Sequence, residues 1–335
     1  MKRGNIGILI ATAAYLTYKA IESRKILQLK GKIVLITGGS RGLGLVLARQ
    51  LSKQGADVII CARQQDTLDK AVDQVSALGG KITAFQCDVS NKAAVEKLID
   101  EVTAKHGKID VLINNAGVIQ VGPERLMRTE EYQEALDINL WGAIHTTLAV
   151  LPHMRTRKQG HIVNITSIGA KVSVPHLLPY SVSKFAMAGF SEGLNASLKE
   201  DNVQVTTVYP GLMRTGSHHH IEVFGDKSKE FSWFSILGTH PLLSVRAEKA
   251  ASIIINAFCR GKNEVIISVP AKIAIKLKAM CPGLISNTLS AINYLLPSAK
   301  GPKGDKSKGY ESHSQVAPSI LTVLGEKAAL SNNQL

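Results

Sequence analysis

Cysteine is scarce and scattered. Cys61, Cys87, Cys259 and Cys281 are the only four in 335 residues, and they form no Cys-x-x-Cys or Cys/His spacing. That argues against a disulfide framework or a zinc site and for a reducing compartment. Aromatic residues are only 5% of the chain, so a cluster of them carries information. No internal repeat is visible. A full-length membrane span is also lacking: the N-terminal uncharged run, Ile6 to Tyr18, makes a helix of about 20 Å against a hydrocarbon core of about 30 Å. The formal charge of +14 is not spread over the chain. Residues 33–269 hold 25 bases and 22 acids, whereas residues 1–32 and 270–308 each hold seven bases against one acid. Nucleic-acid binding therefore has only the two ends behind it, and their neighbouring apolar segments fit an anionic membrane surface better.

What is present divides into four parts. Residues 1–30 form an apolar, basic helix, a possible membrane anchor. A cleaved signal peptide ending near Ala11-Thr12-Ala13 and a helix docked on protein remain open alternatives. Lys19, Arg24, Lys25, Lys30 and Lys32 make the heavier positive flank, which puts the main domain on the cytoplasmic face if the segment inserts. From Lys32 onward, short β-branched runs alternate with amphipathic helices. Strands are expected at 33–36, 58–61, 82–86, 109–113, 161–165, 203–208 and 265–268, with helices at 42–54, 67–78, 92–106, 130–151, 180–200 and 247–260. This alternation means βαβ units and one α/β domain over residues 31–268, built on a doubly wound parallel sheet of about seven strands with helical N- and C-terminal extensions.

Thr37-Gly38-Gly39-Ser40-Arg41-Gly42-Leu43-Gly44 falls at the first strand-to-helix turn. Glycines there let backbone approach a pyrophosphate, and the helix N-terminus supplies N–H groups and positive dipole. The second strand ends Cys61-Ala62-Arg63, without the acid that would bond an adenosine ribose. Arg63 and Arg41 are placed instead to hold a 2′-phosphate, which a guanidinium binds through paired hydrogen bonds. NADP(H) is therefore expected over NAD(H). Asp88-Val89 and Asn114-Asn115-Ala116-Gly117 follow the third and fourth strands, at the carboxyl edge where open α/β sheets bind ligands.

Tyr180 and Lys184 stand four apart at the start of a helix and share one face. A free tyrosine has a pKa of about 10. A nearby cation lowers it toward a value useful for acid–base chemistry at neutral pH. Asn139 sits inside a helix, where asparagine is mildly unfavourable.

The ordered set TGGSRGLG (37–44), Asp88, NNAG (114–117), Asn139, Ser167, YSVSK (180–184) and Pro210-Gly211 with Thr215 resembles the short-chain dehydrogenase/reductase family over about residues 31–268. The resemblance implies a Rossmann fold and an oxidoreductase interconverting a carbonyl and an alcohol. It implies Tyr180 as acid/base, Lys184 lowering its pKa and holding the nicotinamide ribose, Ser167 on the substrate oxygen, and Asn139 anchoring a proton-supplying water. Gly38, Ser40, Arg41, Gly42, Leu43, Gly44, Arg63, Asp88, Val89, Asn115, Ala116, Gly117, Pro210, Gly211 and Thr215 would line the NADP(H) site together with Tyr180 and Lys184. The oxidative direction and a non-catalytic dinucleotide-binding scaffold remain as alternatives.

Residues 212–246 would cover the substrate, and Met213, Ile221, Val223, Phe224, Phe231, Trp233, Phe234, Ile236 and Leu237 gather there. They fit either a lipophilic substrate or packing of the lid on its own domain. No acid or cysteine completes a metal site near His161, His176 or His218-His219-His220, so these read as solvated or lid residues and no metal is expected. Residues 269–300 read as amphipathic basic helices suited to a membrane surface, a substrate cover or an oligomer seam. Residues 301–335, rich in Lys, Ser, Gly and Asn, read as largely disordered. The expected partners are a small lipophilic molecule, a membrane surface and a second copy in a homo-oligomer, with no nucleic acid.

Overall fold

A computed structural model describes residues 26–335. The expected N-terminal membrane helix lies outside them. Among the described residues no helix is long and apolar enough to cross a membrane.

The central strands are β1 (Ile33–Thr37), β2 (Asp57–Ala62), β3 (Ile82–Gln86), β4 (Val111–Asn114), β5 (Gly160–Ile165), β6 (Val203–Pro210) and β7 (Glu264–Ile267). They form one sheet in the order 7-6-5-4-1-2-3, and every neighbouring pair is parallel. The order reverses between β1 and β4, the switch point where such sheets bind ligands outside their carboxyl ends.

The sheet is sandwiched because alternate residues on its strands are apolar on both faces. Val34 and Ile36 of β1 pack with Leu45 and Leu51 of α1 (Gly42–Lys53), and α2 (Gln65–Ser76) adds Leu68. Leu35 points the other way, into a second cluster with Val95 of α3 (Lys92–His106).

The expected helix 130–151 is broken. It consists of α4 (Thr129–Leu136), a five-residue π-turn Asp137–Trp141, and α5 (Gly142–Arg157). Such turns often mark functional sites, and this one carries Asn139. Leu151 of α5 packs in the second cluster. The next helix, α6 (Leu178–Ser197), starts two residues before Tyr180 with Pro179 in its first turn, a position where proline costs nothing. After β6 come α7 (Lys227–Thr239) and α8 (Ala247–Cys259), whose Ile254 and Phe258 join the first cluster.

Beyond β7 lie α9 (Val269–Met280) and α10 (Pro282–Leu295). None of the α10 residues is buried, and Met280, Tyr294 and Leu295 are 77%, 89% and 86% exposed.

The last segment departs from expectation. Residues 301–335 do not lie free. Lys306–Lys308 pairs antiparallel with the short strand Glu222–Phe224, and α11 (Val323–Ser331) follows. The composition is polar, but the polar groups find specific partners. Lys306 and Lys308 both pair with the buried Glu222, at 3.0 and 2.7 Å. A side chain at Gly216 (φ +83°) would collide with the Ala329 backbone of α11. The arm fits the domain too closely for its composition alone to predict.

Candidate active site

The glycine turn is held from below. Thr37 Oγ1 accepts from the backbone N–H groups of Asn115 and Ala116 at 3.0 and 3.1 Å. The Asn115 amide donates to the carbonyls of Thr37 and Gly38 at 3.1 and 3.0 Å. Gly38 and Gly42 have φ of +62° and +56°, which side chains disfavour. A Cβ at Gly44 would strike the Gly38 carbonyl. The sequence around Asn115 therefore fixes the turn where α1 begins.

A cleft of about 580 Å³ opens beside this turn. Gly38, Ser40, Arg41, Arg63, Asp88, Val89, Asn115, Ala116 and Gly117, all expected at a cofactor site, line it. Burial lowers the pKa of Arg41, and the Arg63 guanidinium lowers it further. Two cations facing one cleft suit a doubly charged group such as a ribose phosphate. Asp88 accepts from the Ser90 N–H and hydroxyl at 3.0 and 2.8 Å, so its loop is set. These residues fit the adenosine half of a dinucleotide.

Several cleft residues were not expected: Thr67, Ser217, His220, Lys308, Tyr310 and Gln334. Thr67 belongs to α2, and its hydroxyl lies 3.2 Å from that of Ser40. Arg41 donates to the His220 ring at 3.1 Å. Burial, and then Arg41, push that imidazole down to about 4. Lys308, Tyr310 and Gln334 come from the C-terminal arm. No local sequence signal marks them, because they reach the cleft only through tertiary pairing.

Gly42, Leu43, Gly44, Tyr180, Lys184, Pro210, Gly211 and Thr215 do not line the cleft. The Gly42 N–H donates instead to the Asn332 carbonyl at 2.8 Å. The Asn333 amide donates to the carbonyls of Ser40 and Thr67 at 2.9 and 3.1 Å. Pro210 ends β6, and Thr215 is buried about 3.9 Å from the Cβ position of Gly42.

The four expected catalytic side chains converge. Ser167 Oγ and the edge of the Tyr180 ring flank one point, 3.3 and 3.4 Å from a Cβ placed on Gly169, and Ser167 Oγ accepts from the Gly169 N–H at 3.0 Å. Lys184 is buried, with Nζ 3.1 Å from the Ile165 carbonyl and 5.8 Å from the Tyr180 ring centre. A Cβ placed on Gly117 would lie 2.8 Å from Asn139 Oδ1 and 3.6 Å from Lys184 Nζ. Gly117 thus joins this group to the end of the cleft.

One expectation needs correction here. Burial raises the Tyr180 phenol, and the group that pulls it down is Ser167 rather than Lys184. The reason is placement: the Lys184 ammonium turns toward Ile165, and burial lowers it to about 8. Asn139 is held by its amide. Oδ1 accepts from the Val118 N–H at 2.9 Å, and Nδ2 donates to the Val118 carbonyl and Ser183 Oγ at 3.1 and 2.9 Å.

Nor are the histidines solvated as a group. His218 and His219 are buried, and His176 is buried with Nδ1 2.8 Å from the Glu230 carboxylate. Distant acids supply what the sequence neighbourhood lacked. Part of the lid's apolar content is consumed by its own packing: Ile221, Val223 and Phe231 form a small core with Val121 and Ala317. Trp233 and Phe234 pack at its margin.

A parallel dinucleotide-type sheet with a Ser/Tyr/Lys cluster beside a cationic cleft defines a coenzyme-dependent oxidoreductase. The chain belongs to the short chain dehydrogenase family, whose sequence model matches residues 32–223. It is 31% identical over 284 residues to a fatty acyl-CoA reductase of Acinetobacter baylyi, covering 84% of this chain and 90% of that one. It is 35% identical over 277 residues to an 11-beta-hydroxysteroid dehydrogenase-like protein of Arabidopsis thaliana, covering 80% and 84%. A metagenomic short-chain oxidoreductase solved with NADP superposes with a TM-score of 0.59 at 27% identity, covering 72% of this chain and 98% of that one. The chain is an NAD(P)-dependent oxidoreductase.

Proposed function

We propose that the protein uses NADP(H) to interconvert a carbonyl and an alcohol on a lipophilic substrate, with Tyr180 as the acid/base. The observation that carries this reading is the placement of Ser167 and Tyr180 together near buried Lys184, with Gly117 between that group and a cleft that holds two arginines. Arg41 and Arg63 would take the 2′-phosphate, Asp88, Val89 and Asn115–Gly117 the adenosine, and the Gly38–Gly44 turn the pyrophosphate. Pro210, Gly211 and Thr215 would close the nicotinamide end. The coenzyme, when bound, supplies the hydride. Ser167 and Tyr180 donate to the substrate oxygen where negative charge develops, and Tyr180 passes its proton to it. Lys184, with a pKa near 8, exchanges protons readily near neutrality and refills the phenol. Asn139 acts as a positioning residue, fixing Val118 and Ser183 around Lys184.

A lipophilic substrate draws support from the names of the two sequence relatives and from Trp233 and Phe234 at the lid. A membrane surface as workplace draws support from α9 and α10, which expose apolar side chains beside Lys272 and Lys276 and contain no acid. The decisive experiment is NADPH consumption by full-length enzyme across lipophilic ketones and aldehydes, wild type against Tyr180→Phe. Turnover that falls at least about a hundredfold in the variant, with NADPH binding retained, supports the assignment. Undiminished turnover in the variant removes it. Binding without turnover on any carbonyl or alcohol favours the scaffold reading.

A further inference from the structure

The C-terminal arm brings one carboxylate to two buried imidazoles. Glu326 of α11 places Oε1 3.0 Å from His218 Nε2 and Oε2 2.9 Å from His219 Nε2. The three side chains offer donor atoms that all lie within 4.8 Å of one another. The two rings sit 4.4 Å apart, centre to centre, and His219 is only 2% exposed. Phe231 and His313 wall the group, their rings 6.4 and 6.0 Å from that of His219. Two imidazole nitrogens and a carboxylate are the protein ligands of a familiar zinc-site type. Imidazole also suits the neighbouring transition ions, whereas magnesium and calcium prefer all-oxygen shells. His219 Nδ1 is buried without a partner whether Nε2 holds a proton or an ion, so the case for an ion rests on the convergence of the three donor atoms.

The position of this cluster gives it a consequence. Five residues beyond Glu326 the helix ends, and the chain runs directly onto the glycine turn. There the Asn332 carbonyl takes the Gly42 N–H, the Asn333 side chain ties Ser40 to Thr67, and the Gln334 carbonyl lies 3.0 Å from His220 Nε2. The Gly42 N–H at the start of α1 is the kind of donor that binds a pyrophosphate. Arm and coenzyme compete for it.

We propose that His218, His219 and Glu326 bind one divalent transition ion of the zinc class, and that this ion fastens the C-terminal arm across the phosphate turn. Ion and coenzyme then oppose each other, by the same factor in both directions. The second half rests on the NADP(H) reading; the first half does not.

The test uses full-length protein stripped with a chelator. Calorimetric titration with zinc chloride should give one ion per chain, and magnesium chloride none. Glu326→Gln, nearly isosteric, and His219→Ala should each weaken zinc binding at least tenfold, with the folded state of each checked by circular dichroism. NADPH affinity, followed by its fluorescence, should fall about tenfold at saturating zinc. That zinc effect should vanish in Glu326→Gln. Asn333→Ala should bind NADPH more tightly than wild type while keeping its zinc stoichiometry. No zinc binding by wild type, or binding that neither variant weakens, overturns the site and leaves a hydrogen-bonded triad. Zinc binding with unchanged NADPH affinity overturns the clamp. Stoichiometric zinc with no NADPH or NADH binding in any state sinks the coenzyme reading but not the metal site.

Discussion

The sheet domain and the C-terminal arm both contribute side chains to one cleft, but they are built on different principles. The domain rests on periodic burial: β1 alone sends Val34 and Ile36 to one core and Ile33 and Leu35 to the other. The arm has little apolar content of this kind. It is fixed by single polar matches, Glu222 with Lys306 and Lys308, and Asn333 with two carbonyls. Hydrophobic periodicity tolerates many sequences, so a domain of this kind is redundant. An arm held by a few pairings is not, and one substitution should release it while the domain stays folded.

The sharpest way to break the comparison is Gly216→Val. A β-branched residue at φ +83° that also collides with α11 should cost about 3 kcal/mol or more. Limited proteolysis should then cut within 301–335 under conditions where wild type resists, leaving a stable core fragment. Equal resistance would mean that the arm is not held at this seam.

Lys184→Met tests the domain's own site. The ammonium is buried, and its folded pKa of about 8 lies below the ordinary 10.5. The unfolded chain therefore binds more protons between pH 8 and 10.5, so wild-type stability rises with pH through that window. Below pH 8 the charged lysine costs about 3 kcal/mol, and the variant should be more stable there by up to that amount. The gap should narrow toward pH 10.5. Denaturant midpoints across pH measure it, and a gap independent of pH would contradict the burial argument.

Arg63→Ala should reduce the preference for NADPH over NADH about tenfold, a loss of one charge-assisted contact, seen as a change in the ratio of their dissociation constants. The smallest effect is expected from Asn333→Ala, about 1 kcal/mol of stability from two lost hydrogen bonds, read as a slightly lower melting temperature. The two substitutions should act oppositely on NADPH affinity, because one removes a cleft cation and the other loosens the arm.

Much of the domain was legible. The alternation of β-branched runs with amphipathic helices placed all seven strands, because a strand buried on both faces must be apolar along its length. Tyr180 and Lys184 could be found from spacing, since residues four apart share a helix face, whereas Ser167 followed only from the family resemblance. The π-turn at Asn139 was not legible, as it depends on the Val118 backbone and Ser183 arriving from elsewhere. Nor was the pKa order at the site, since the direction in which Lys184 turns is set by the Ile165 carbonyl.

The sequence by itself determined the sheet, its parallel winding, the glycine turn and the pairing of Tyr180 with Lys184 on one helix, because these depend on local periodicity and on residues close together in the chain. Only the tertiary structure decided that a polar, basic tail folds, that Lys308, Tyr310 and Gln334 enter the cleft beside the glycine turn, and that Glu326 reaches His218 and His219 from more than a hundred residues away. Each of those outcomes depends on a partner distant in sequence. Composition records how many polar groups a segment carries, but not which groups they meet.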